Sequence, residues 1–281
     1  MEHPKQIFSR YGLKAKKSLG QNFLHDDNIL STIVAIAGVE SGDQVLEIGP
    51  GLGALTHHLS QLAAHIVAVE LDQRLLPILE AELGDRPNVD LVHGDILELD
   101  PQTWFGEMPY KVVANVPYYI TGAILQHLLS GQGKPQLMVL TVQKEVAERI
   151  TAGPGDMTLL AVSVQLYGEA QIAGEIRAGA FWPRPDVDSA ILRIDLSAQA
   201  PLSPTEEKEF FRLVRTGFSQ KRKQLQKNLR ALGFERKEIL NLLHATGIAP
   251  QRRAETLSVA EWLRLYKVVR QSPEFGPTAG A

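Results

Sequence analysis

The chain has 281 residues, of which 44% are hydrophobic and 22% are charged, and its formal net charge is -3. This length accommodates a large α/β domain with a smaller second domain, and no stretch reaches the roughly 20 apolar residues that a membrane span needs. The lack of cysteine excludes disulfides, thiolate metal sites and a cysteine nucleophile, and the basic N-terminus lacks a secretory apolar block, so we expect a cytoplasmic protein.

The first two thirds of the chain alternate short β-branched runs with helical patterns. The predicted strands are Gln44–Ile48, His65–Glu70, Val89–His93, Lys111–Ala114 and Gln136–Val142. This βαβ alternation predicts a parallel sheet with helices on both faces, and therefore an α/β fold. After Pro183 and Pro185, the alternating segment Ser189–Asp195 predicts an antiparallel strand.

The last third of the chain has a different pattern. A stretch rich in Pro, Ser and Ala at residues 197–205 is typical of a linker, and helical patterns follow it at Glu206–Phe218, Arg222–Leu232, Arg236–Thr246 and Val259–Arg270. We therefore predict a first domain at residues 1–200 and an all-helical second domain at residues 201–281. The tail from Ser272 has the composition of a disordered segment.

Charge is strongly segregated along the chain. Residues 40–110 contain 13 acidic and 2 basic residues, whereas residues 212–230 contain 7 basic residues and no acidic one. Such an asymmetry is typical of a face that binds a polyanion, attached to a domain that binds a small molecule. The alternative interpretation of the basic run is an ordinary solvated helix face.

A glycine-rich turn, Glu47–Gly53, leaves the first predicted strand and enters a helix. Glycines allow a ligand to approach the backbone closely, which predicts a nucleotide-binding turn. Glu70 ends the next strand and suits a ribose, and Asp95 follows the third strand and could accept from an adenine amino group. These residues alone leave a dinucleotide-dependent dehydrogenase open, and Asp95 alone could be a helix cap or turn residue.

A second motif, Asn115–Thr121, follows the fourth predicted strand. The N6 amine of adenine is a poor nucleophile because its lone pair is conjugated into the ring. The Asn115 side-chain oxygen and the Val116 carbonyl, held by Pro117, could each accept one N6–H and so free that lone pair. Tyr118 offers a flat face for a base. A turn asparagine and a core tyrosine are the alternatives for each residue alone.

With these motifs, the chain resembles the ribosomal RNA adenine dimethyltransferase family from about Ala15 to Leu257. The matching segments are Leu19–Leu24, Glu47–Gly53, Asn115–Thr121, Gln143–Glu145, Phe181–Ala190, Phe218–Lys223 and Arg253–Ser258. The family implies a Rossmann-like methyltransferase sheet of seven strands with a small helical C-terminal domain. It also implies S-adenosyl-L-methionine as methyl donor and two adjacent adenosines near the 3′ end of small-subunit (16S) ribosomal RNA as substrate, with a role in subunit biogenesis.

The resemblance also implies roles for individual residues. The cofactor-binding set is Asn22, Leu24, Gly49, Gly51, Glu70, Asp95 and Asn115, and the catalytic set is Asn115, Val116, Pro117, Tyr118 and Phe181. Asn22 and Leu24 are expected to close over the cofactor, and Phe181 to stack on the target base opposite Tyr118. The expected RNA-binding residues are Lys221, Arg222, Lys223, Lys227 and Arg230, helped by Lys14, Lys16 and Lys17.

Three departures from the family pattern stand out: Val116 replaces a frequent leucine, Pro154–Val162 lacks the usual aromatic-glycine pattern, and Arg184 and Asp186 alter the segment around Pro183. The alternatives that remain are an adenine methyltransferase acting on large-subunit RNA or DNA, a non-catalytic assembly module, and a dehydrogenase, which explains only the glycine turn. The histidines have no second ligand at a suitable spacing, so we expect no metal site. We expect a monomer that binds no membrane.

Overall fold

The computed structural model describes residues 2–84, 86–131, 133–197, 202–272 and 275. The chain packs into two compact units, of which the first comprises Met1–Glu148 with Gly168–Ala198 and the second comprises Arg149–Tyr167 with Gln199–Ala281. Arg149–Tyr167 lies within the predicted first domain but packs in the second unit. Its place in the second unit has a local cause, because the backbone N–H groups of Gly155 and Met157 both donate to the carbonyl of Glu255, at 2.9 and 3.1 Å.

The first unit is built on a seven-stranded sheet and a two-stranded sheet. The strands are β1 (Phe23–Leu24), β2 (Gln44–Ile48), β3 (His65–Glu70), β4 (Val89–His93), β5 (Tyr110–Asn115), β6 (Leu137–Gln143), β7 (Gly168–Ile176), β8 (Phe181–Trp182) and β9 (Ser189–Leu196). The large sheet has the order β4-β3-β2-β5-β6-β9-β7, and β1 pairs with β8. Strands β2 to β6 pair in parallel and β9 is antiparallel to both neighbours. The predicted α/β fold class and the seven implied strands are confirmed.

Burial explains why the central strands were predictable. Val45 and Leu46 of β2 and Ile66 and Val67 of β3 are fully buried, as expected for parallel strands covered on both faces. Strand β7 was not predicted. It lies at the sheet edge, contains two glycines, leaves most of its side chains at least partly exposed and shifts register between Ile172 and Gly174, so no clear hydrophobic pattern marks it.

The order of the strands creates a switch point between β2 and β5. After β2, the chain adds β3 and β4 on one side and then returns to add β5 and β6 on the other side. Leu46 pairs with Val112, so β2 ends two residues later at Ile48 and β5 ends three residues later at Asn115. Ligands of open α/β sheets bind in the crevice at such a point, beyond the carboxyl ends of the strands.

The helices are α1 (Pro4–Arg10), α2 (Asp27–Ala37), α3 (Ala54–Leu59), α4 (Leu76–Leu83), α5 (Gln102–Phe105), α6 (Thr121–Ser130), α7 (Lys144–Thr151), α8 (Leu159–Gln165), α9 (Pro204–Phe218), α10 (Leu225–Asn228), α11 (Arg236–Ala245) and α12 (Val259–Val269). In the described ranges, no helix is both long enough and apolar enough to span a bilayer. In the first unit, α1 buries Ile7 and Phe8 in a cluster with Phe23, Leu52 and Leu75.

The second unit is helical, and its core contains the fully buried Trp262, Tyr266 and Phe210. Ser203 caps α9 and Ser258 caps α12, each through a capping box that satisfies free N–H groups at the helix start. The helix predicted over Arg222–Leu232 is shorter than expected. α10 begins only at Leu225, and a short 3-10 helix at Leu229–Leu232 completes it.

The turn that precedes α10 has a clear anchor. The buried Asn228 side chain donates to the carbonyls of Gly217, at 2.6 Å, and Gln220, at 3.2 Å. The chain therefore leaves α9 in a turn rather than in a continuous helix. Of the predicted linker at residues 197–205, residues 198–201 lie outside the described residues, but Pro204 and Thr205 belong to α9 because Ser203 caps that helix. Of the predicted tail, residues 273–274 and 276–281 lie outside the described residues. Phe275 is described and is buried, with its carbonyl accepting from the Arg212 guanidinium at 2.6 Å.

Candidate active site

One cavity of the first unit lies at the carboxyl ends of β2 and β5. It is lined by Asn22, Leu24, Gly49, Gly51, Glu70, Asp95, Asn115, Val116, Pro117 and Tyr118, among others. All seven residues expected to bind the cofactor and four of the five expected to be catalytic therefore share one site. We refer to this cavity as the donor pocket.

The glycine turn forms one wall of the donor pocket. Gly49, Gly51 and Gly53 have φ values of 69°, 62° and 80°, a left-handed region that favours glycine. A side chain on Gly49 would meet no atom within 4 Å, which leaves room for a ligand at this position. A Cβ on Gly51 would lie 3.0 Å from the Phe23 ring, so this glycine allows the N-terminal segment to pack closely on the turn.

Glu70 ends β3 and holds the glycine turn in place. Its side chain is 6% exposed, and its two oxygens accept from the Gly51 N–H at 3.0 Å and from the Asp72 N–H at 2.8 Å. Burial raises the pKa of this carboxyl, and the two N–H donors oppose that rise. Each oxygen keeps a second lone pair, so the carboxylate can still accept from ribose hydroxyls in the pocket.

Asp95 is half-buried, lines the donor pocket and lies two residues after β4. One of its oxygens accepts from the Leu97 N–H at 3.0 Å, which is the turn role that the sequence left open. The second oxygen is not used in that bond. The turn therefore orients the side chain without preventing it from contacting an adenine.

Asn115 ends β5, and one hydrogen bond determines how its amide is oriented. The Nδ2 group donates to the backbone carbonyl of Asn22 at 3.0 Å. An amide whose nitrogen faces a carbonyl must present its oxygen on the other side, and this network is the basis for the assignment. The Asn115 oxygen is not engaged in this bond, and Asn115 lines the donor pocket, so the residue can supply the acceptor that the predicted amine chemistry needs.

Beyond Asn115, the chain turns away from the sheet. The Val116 side chain is buried, and Pro117 has an extended backbone that precedes a 3-10 turn at Tyr118–Ile120. Tyr118 is half-buried and lines the pocket, and its hydroxyl forms a 2.6 Å hydrogen bond with the hydroxyl of the buried Ser189. Burial raises the pKa of the Tyr118 phenol, so the side chain is neutral near pH 7.

The structure does not bring Phe181 to the donor pocket. Phe181 lies in β8 opposite Leu24 of β1 and is 3% exposed within the main hydrophobic cluster. Its ring packs in this cluster and is not among the residues that line the pocket, and the stacking role that the resemblance implies for it stays a prediction. The neighbouring Trp182 instead packs against Phe8 and Phe23.

Three polar residues of the site received no role from the sequence. Glu47 lines the donor pocket at 1% exposure, and burial raises the pKa of its carboxyl to about 8. Gln21 and Asp72 form a hydrogen bond beside the pocket, at 2.8 Å. Glu47 and Gln21 belong to the two matching segments nearest the cofactor residues, and Asp72 follows Glu70 by two positions. The signal in the sequence that could have indicated these three residues is therefore their position within or next to a recognised motif.

The predicted polyanion-binding residues lie in the second unit, around the turn before α10. Lys221, Arg222, Lys223, Lys227 and Arg230 are all exposed, and none forms an ion pair with a described residue. We refer to them as the basic segment. In the first unit, Lys14, Lys16 and Lys17 are exposed as well, but Lys16 lies 3.5 Å from the Asp72 carboxylate and so has a partner within the protein.

Comparisons with known protein sequences place this site in context. The family model described as "Ribosomal RNA adenine dimethylase" matches residues 12–271. A relative named "Ribosomal RNA small subunit methyltransferase A" from Dehalococcoides mccartyi (strain CBDB1) is 45% identical over 267 residues, covering 94% of this chain and 92% of the relative. A relative of the same name from Geobacillus thermodenitrificans is 44% identical over 272 residues, with 93% of each chain covered.

Solved structures agree with this similarity. The crystal structure of the 23S rRNA methyltransferase ErmE is similar with a TM-score of 0.73 at 28% identity, covering 89% of this chain and all of that chain. A dimethyladenosine transferase from Plasmodium falciparum is similar with a TM-score of 0.77 at 27% identity, covering 86% of this chain and 95% of that chain.

Proposed function

This chain belongs to the ribosomal RNA adenine dimethylase family, and on that premise we propose that it dimethylates N6 of two adjacent adenosines near the 3′ end of small-subunit (16S) ribosomal RNA. The names of these two relatives support the small subunit as the source of the RNA. The observation that carries the chemistry is the Asn115 amide, whose nitrogen is engaged by Asn22 and whose oxygen is left to accept.

The residues of the donor pocket suit S-adenosyl-L-methionine, which supplies a methyl group on a positively charged sulfur. Glu70 would hold the ribose hydroxyls, Asp95 the adenine amino group, and Gly49 the methionine portion, with Asn22 and Leu24 covering it. The buried Glu70 carboxylate, held by two backbone N–H groups, fits a ligand that donates hydroxyl hydrogens. The open space at Gly49 fits a ligand that approaches the backbone.

We assign the activation of the target amine to Asn115 and to the carbonyl of Val116. Each accepts one N6–H of the adenine, which favours a pyramidal nitrogen and releases its lone pair toward the methyl carbon. As the N–C bond forms, the bond from that carbon to sulfur breaks and its electron pair stays on sulfur. One N6 proton then leaves to solvent. The monomethylated base keeps one N6–H, so a single acceptor must orient the nitrogen for the second transfer.

The adenine has to leave its stack before it can reach Asn115. Unstacking costs a few kcal/mol, which stacking on a tyrosine face and hydrogen bonds to the base can offset. We assign the stacking contact to Tyr118, whose ring is fixed at the pocket by the bond between its hydroxyl and Ser189. A fixed ring loses little conformational freedom when a base binds.

We further propose that the second unit binds RNA through the basic segment. Its five exposed cations have no acidic neighbour in residues 212–230, so they are available for phosphates. We propose that the protein works as a monomer. We also propose that it acts in the cytoplasm on the small subunit or its precursor, because the names of its relatives point to small-subunit RNA. This placement also implies a role in subunit biogenesis.

The direct test uses small ribosomal subunits that lack the modification. These are incubated with the protein and labelled S-adenosylmethionine, and the digested RNA is analysed for N6,N6-dimethyladenosine. We expect two dimethylated neighbours near the 3′ end and no label in large subunits treated in parallel. Label confined to 23S RNA or to DNA would replace this proposal with the alternative substrate, and no label with intact donor binding would indicate a non-catalytic role.

A further inference from the structure

The segment that ends in β1 lines the donor pocket and is attached to the first unit at several points. We define the N-terminal strap as Lys14–Leu24, which includes the cofactor residues Asn22 and Leu24. At its far end, Leu24 pairs with Phe181 in the small sheet. At its near end, the Arg74 guanidinium donates to the carbonyl of Lys14 at 3.2 Å. Between these two ends, backbone hydrogen bonds of a 3-10 turn at Lys17–Leu19 bend the strap, and side chains attach it to the rest of the unit.

Gln21 makes the central attachment. Its Nε2 donates to Asp72 Oδ2 at 2.8 Å, and its Oε1 accepts from the Lys16 N–H at 2.7 Å. This side chain adds to the closure of the bend and, together with Lys16 Nζ at 3.5 Å from the same carboxylate, ties the bend to the end of β3. The half-buried position of Gln21 limits competition from water, which strengthens both bonds. We call the bond between Gln21 and Asp72 the clasp.

Asp72 is built to hold this clasp. Its carboxylate is 3% exposed and accepts from Arg74 Nε at 2.9 Å and Arg74 Nη2 at 2.6 Å, in addition to Gln21. The Arg74 guanidinium, followed by Gln21, holds the pKa of this carboxyl well below its usual range, against the effect of burial. The Asp72 N–H donates to Glu70, so the same residue supports the carboxylate that we assign to the ribose.

The clasp lies one residue from the group that orients the catalytic amide. Gln21 is followed by Asn22, whose carbonyl accepts from Asn115 Nδ2 at 3.0 Å. If Gln21 shifts, the Asn22 carbonyl shifts with it, and the Asn115 amide loses the bond that turns its oxygen into the pocket. The adjoining Gly20 lies against the Tyr119 ring, with 3.1 Å between that ring and a Cβ built on the glycine, so this part of the strap has little room to adjust.

We propose that Gln21 is a positioning residue, which acts through the clasp with Asp72 to hold the Asn22 carbonyl where it orients the Asn115 amide. This inference rests on the proposed role of Asn115. It predicts that loss of the clasp lowers the rate of methyl transfer more than it weakens RNA binding, because the RNA is held by other residues. It also predicts that the strap becomes mobile in the protein without ligands.

The test compares Gln21→Ala and Gln21→Glu with Arg10→Ala as a matched control. Arg10 makes an exposed link between the N-terminal region and Glu82 at 3.2 Å, outside the clasp. For both Gln21 variants we expect kcat to fall by about ten- to a hundredfold, as for a small misplacement of a reacting group, with KM for the subunit unchanged. Trypsin should cleave after Lys16 and Lys17 faster than in the wild-type protein, and the control should match the wild type.

A swapped pair makes the test specific. Asp72→Asn alone removes the carboxylate of the clasp and one of the two acceptor contacts with Arg74. The double variant Gln21→Glu with Asp72→Asn loses the same contact with Arg74 but exchanges the amide and the carboxylate, so a hydrogen bond between positions 21 and 72 can form. We expect the double variant to exceed Asp72→Asn alone in rate and in trypsin resistance. An unchanged kcat and unchanged cleavage in Gln21→Ala, or a double variant no better than Asp72→Asn alone, would overturn the clasp. The cleavage readout decides the clasp even if the wild-type protein methylates no 16S RNA, since that result would count against the proposed function alone.

Discussion

Glu70 and Lys221 are both charged residues that we assign to ligand binding, yet their surroundings differ in kind. Glu70 is buried, and each of its oxygens has a backbone donor within 3.0 Å. Lys221 is exposed and forms no ion pair with any described residue. In the donor pocket, the protein fixes the position of each group before the ligand arrives. The cations of the basic segment are exposed, so under the proposed RNA-binding role the RNA would determine which of them are used.

This difference predicts how strongly a substitution in each region should change rate or affinity constants. A fixed, desolvated group loses a specific bond when it is changed, and its partner is left unsatisfied. A mobile surface cation loses a share of a screened attraction that its neighbours partly replace. Substitutions in the donor pocket should therefore have large effects on individual rate or affinity constants, and substitutions in the basic segment should have smaller effects that depend on salt.

The largest effect is expected for Asn115→Ala. Loss of the acceptor oxygen should lower kcat by about 10²- to 10³-fold, the range seen when one preorganised polar group is removed from an active site. Donor binding, followed by calorimetry, should persist. Asn115→Asp is the informative companion, because it keeps an oxygen but loses the bond to the Asn22 carbonyl. Full activity in the alanine variant would refute the amine-activation mechanism.

A somewhat smaller effect is expected for Glu70→Gln. The amide can accept only one of the two N–H groups that the carboxylate accepts, so either Gly51 or Asp72 is left with a buried donor that has no partner. This costs about 1–3 kcal/mol, which should weaken donor binding by roughly one to two decades. Calorimetric titration with S-adenosylmethionine measures the loss. The affinity for RNA should not change. If the variant weakened donor binding and RNA binding equally, the donor pocket and the basic segment would not act as separate binding sites.

The basic segment is tested by neutralising Lys221, Arg222 and Lys223 together. We expect weaker RNA binding, and the dependence of log K on log salt should fall by roughly one unit for each phosphate contact that is lost. At saturating RNA, kcat should stay close to that of the wild type. Lys208, in the same unit, provides a matched control for loss of a surface charge. An unchanged salt slope in the triple variant would assign these residues to a solvated helix face.

The smallest effect concerns stability and involves Glu47. Its folded pKa is raised to about 8, above the usual value of 4.5, mainly by burial. The folded state therefore binds the proton more tightly than the unfolded state, and this contribution to stability is complete below about pH 4.5 and is lost as pH rises through about 8. Glu47→Gln should lose less stability than the wild type across this window. Thermal unfolding of both proteins near pH 4.5 and near pH 8 measures this difference in stability. An equal loss of stability in the two proteins would contradict the assignment.

Much of this architecture could be predicted because buried strands have a recognisable hydrophobic pattern in the sequence. Strands β2, β3 and β4 were predicted with their observed bounds, since β-branched runs between polar turns have few other interpretations. Family membership confirms the expected class of enzyme and its donor, S-adenosylmethionine. Strand β7 was missed because an irregular edge strand with glycines has no such hydrophobic pattern.

The site shows where prediction from sequence stops. The motifs identified Asn115 and Glu70, but they gave no sign that Asp72 would bind Gln21, since those residues are far apart in sequence and their types also suit an exposed turn. Phe181 shows the opposite problem. Its segment matched the family, but pairing of β8 with β1 decides where its ring points, and that pairing joins two short segments without a pattern of their own. Both outcomes depend on tertiary packing rather than on local propensity.

The pairing of Leu24 with Phe181 has a consequence for how the protein is made. The two strands are separated by nearly the whole of the first unit, so a chain emerging from the ribosome can build β2, β3 and β4 well before it can close the small sheet. Contacts of such long range form late in folding. Affinity for S-adenosylmethionine should therefore appear on a nascent chain only after Trp182 has left the exit tunnel, and donor binding would report the completion of the first unit during synthesis.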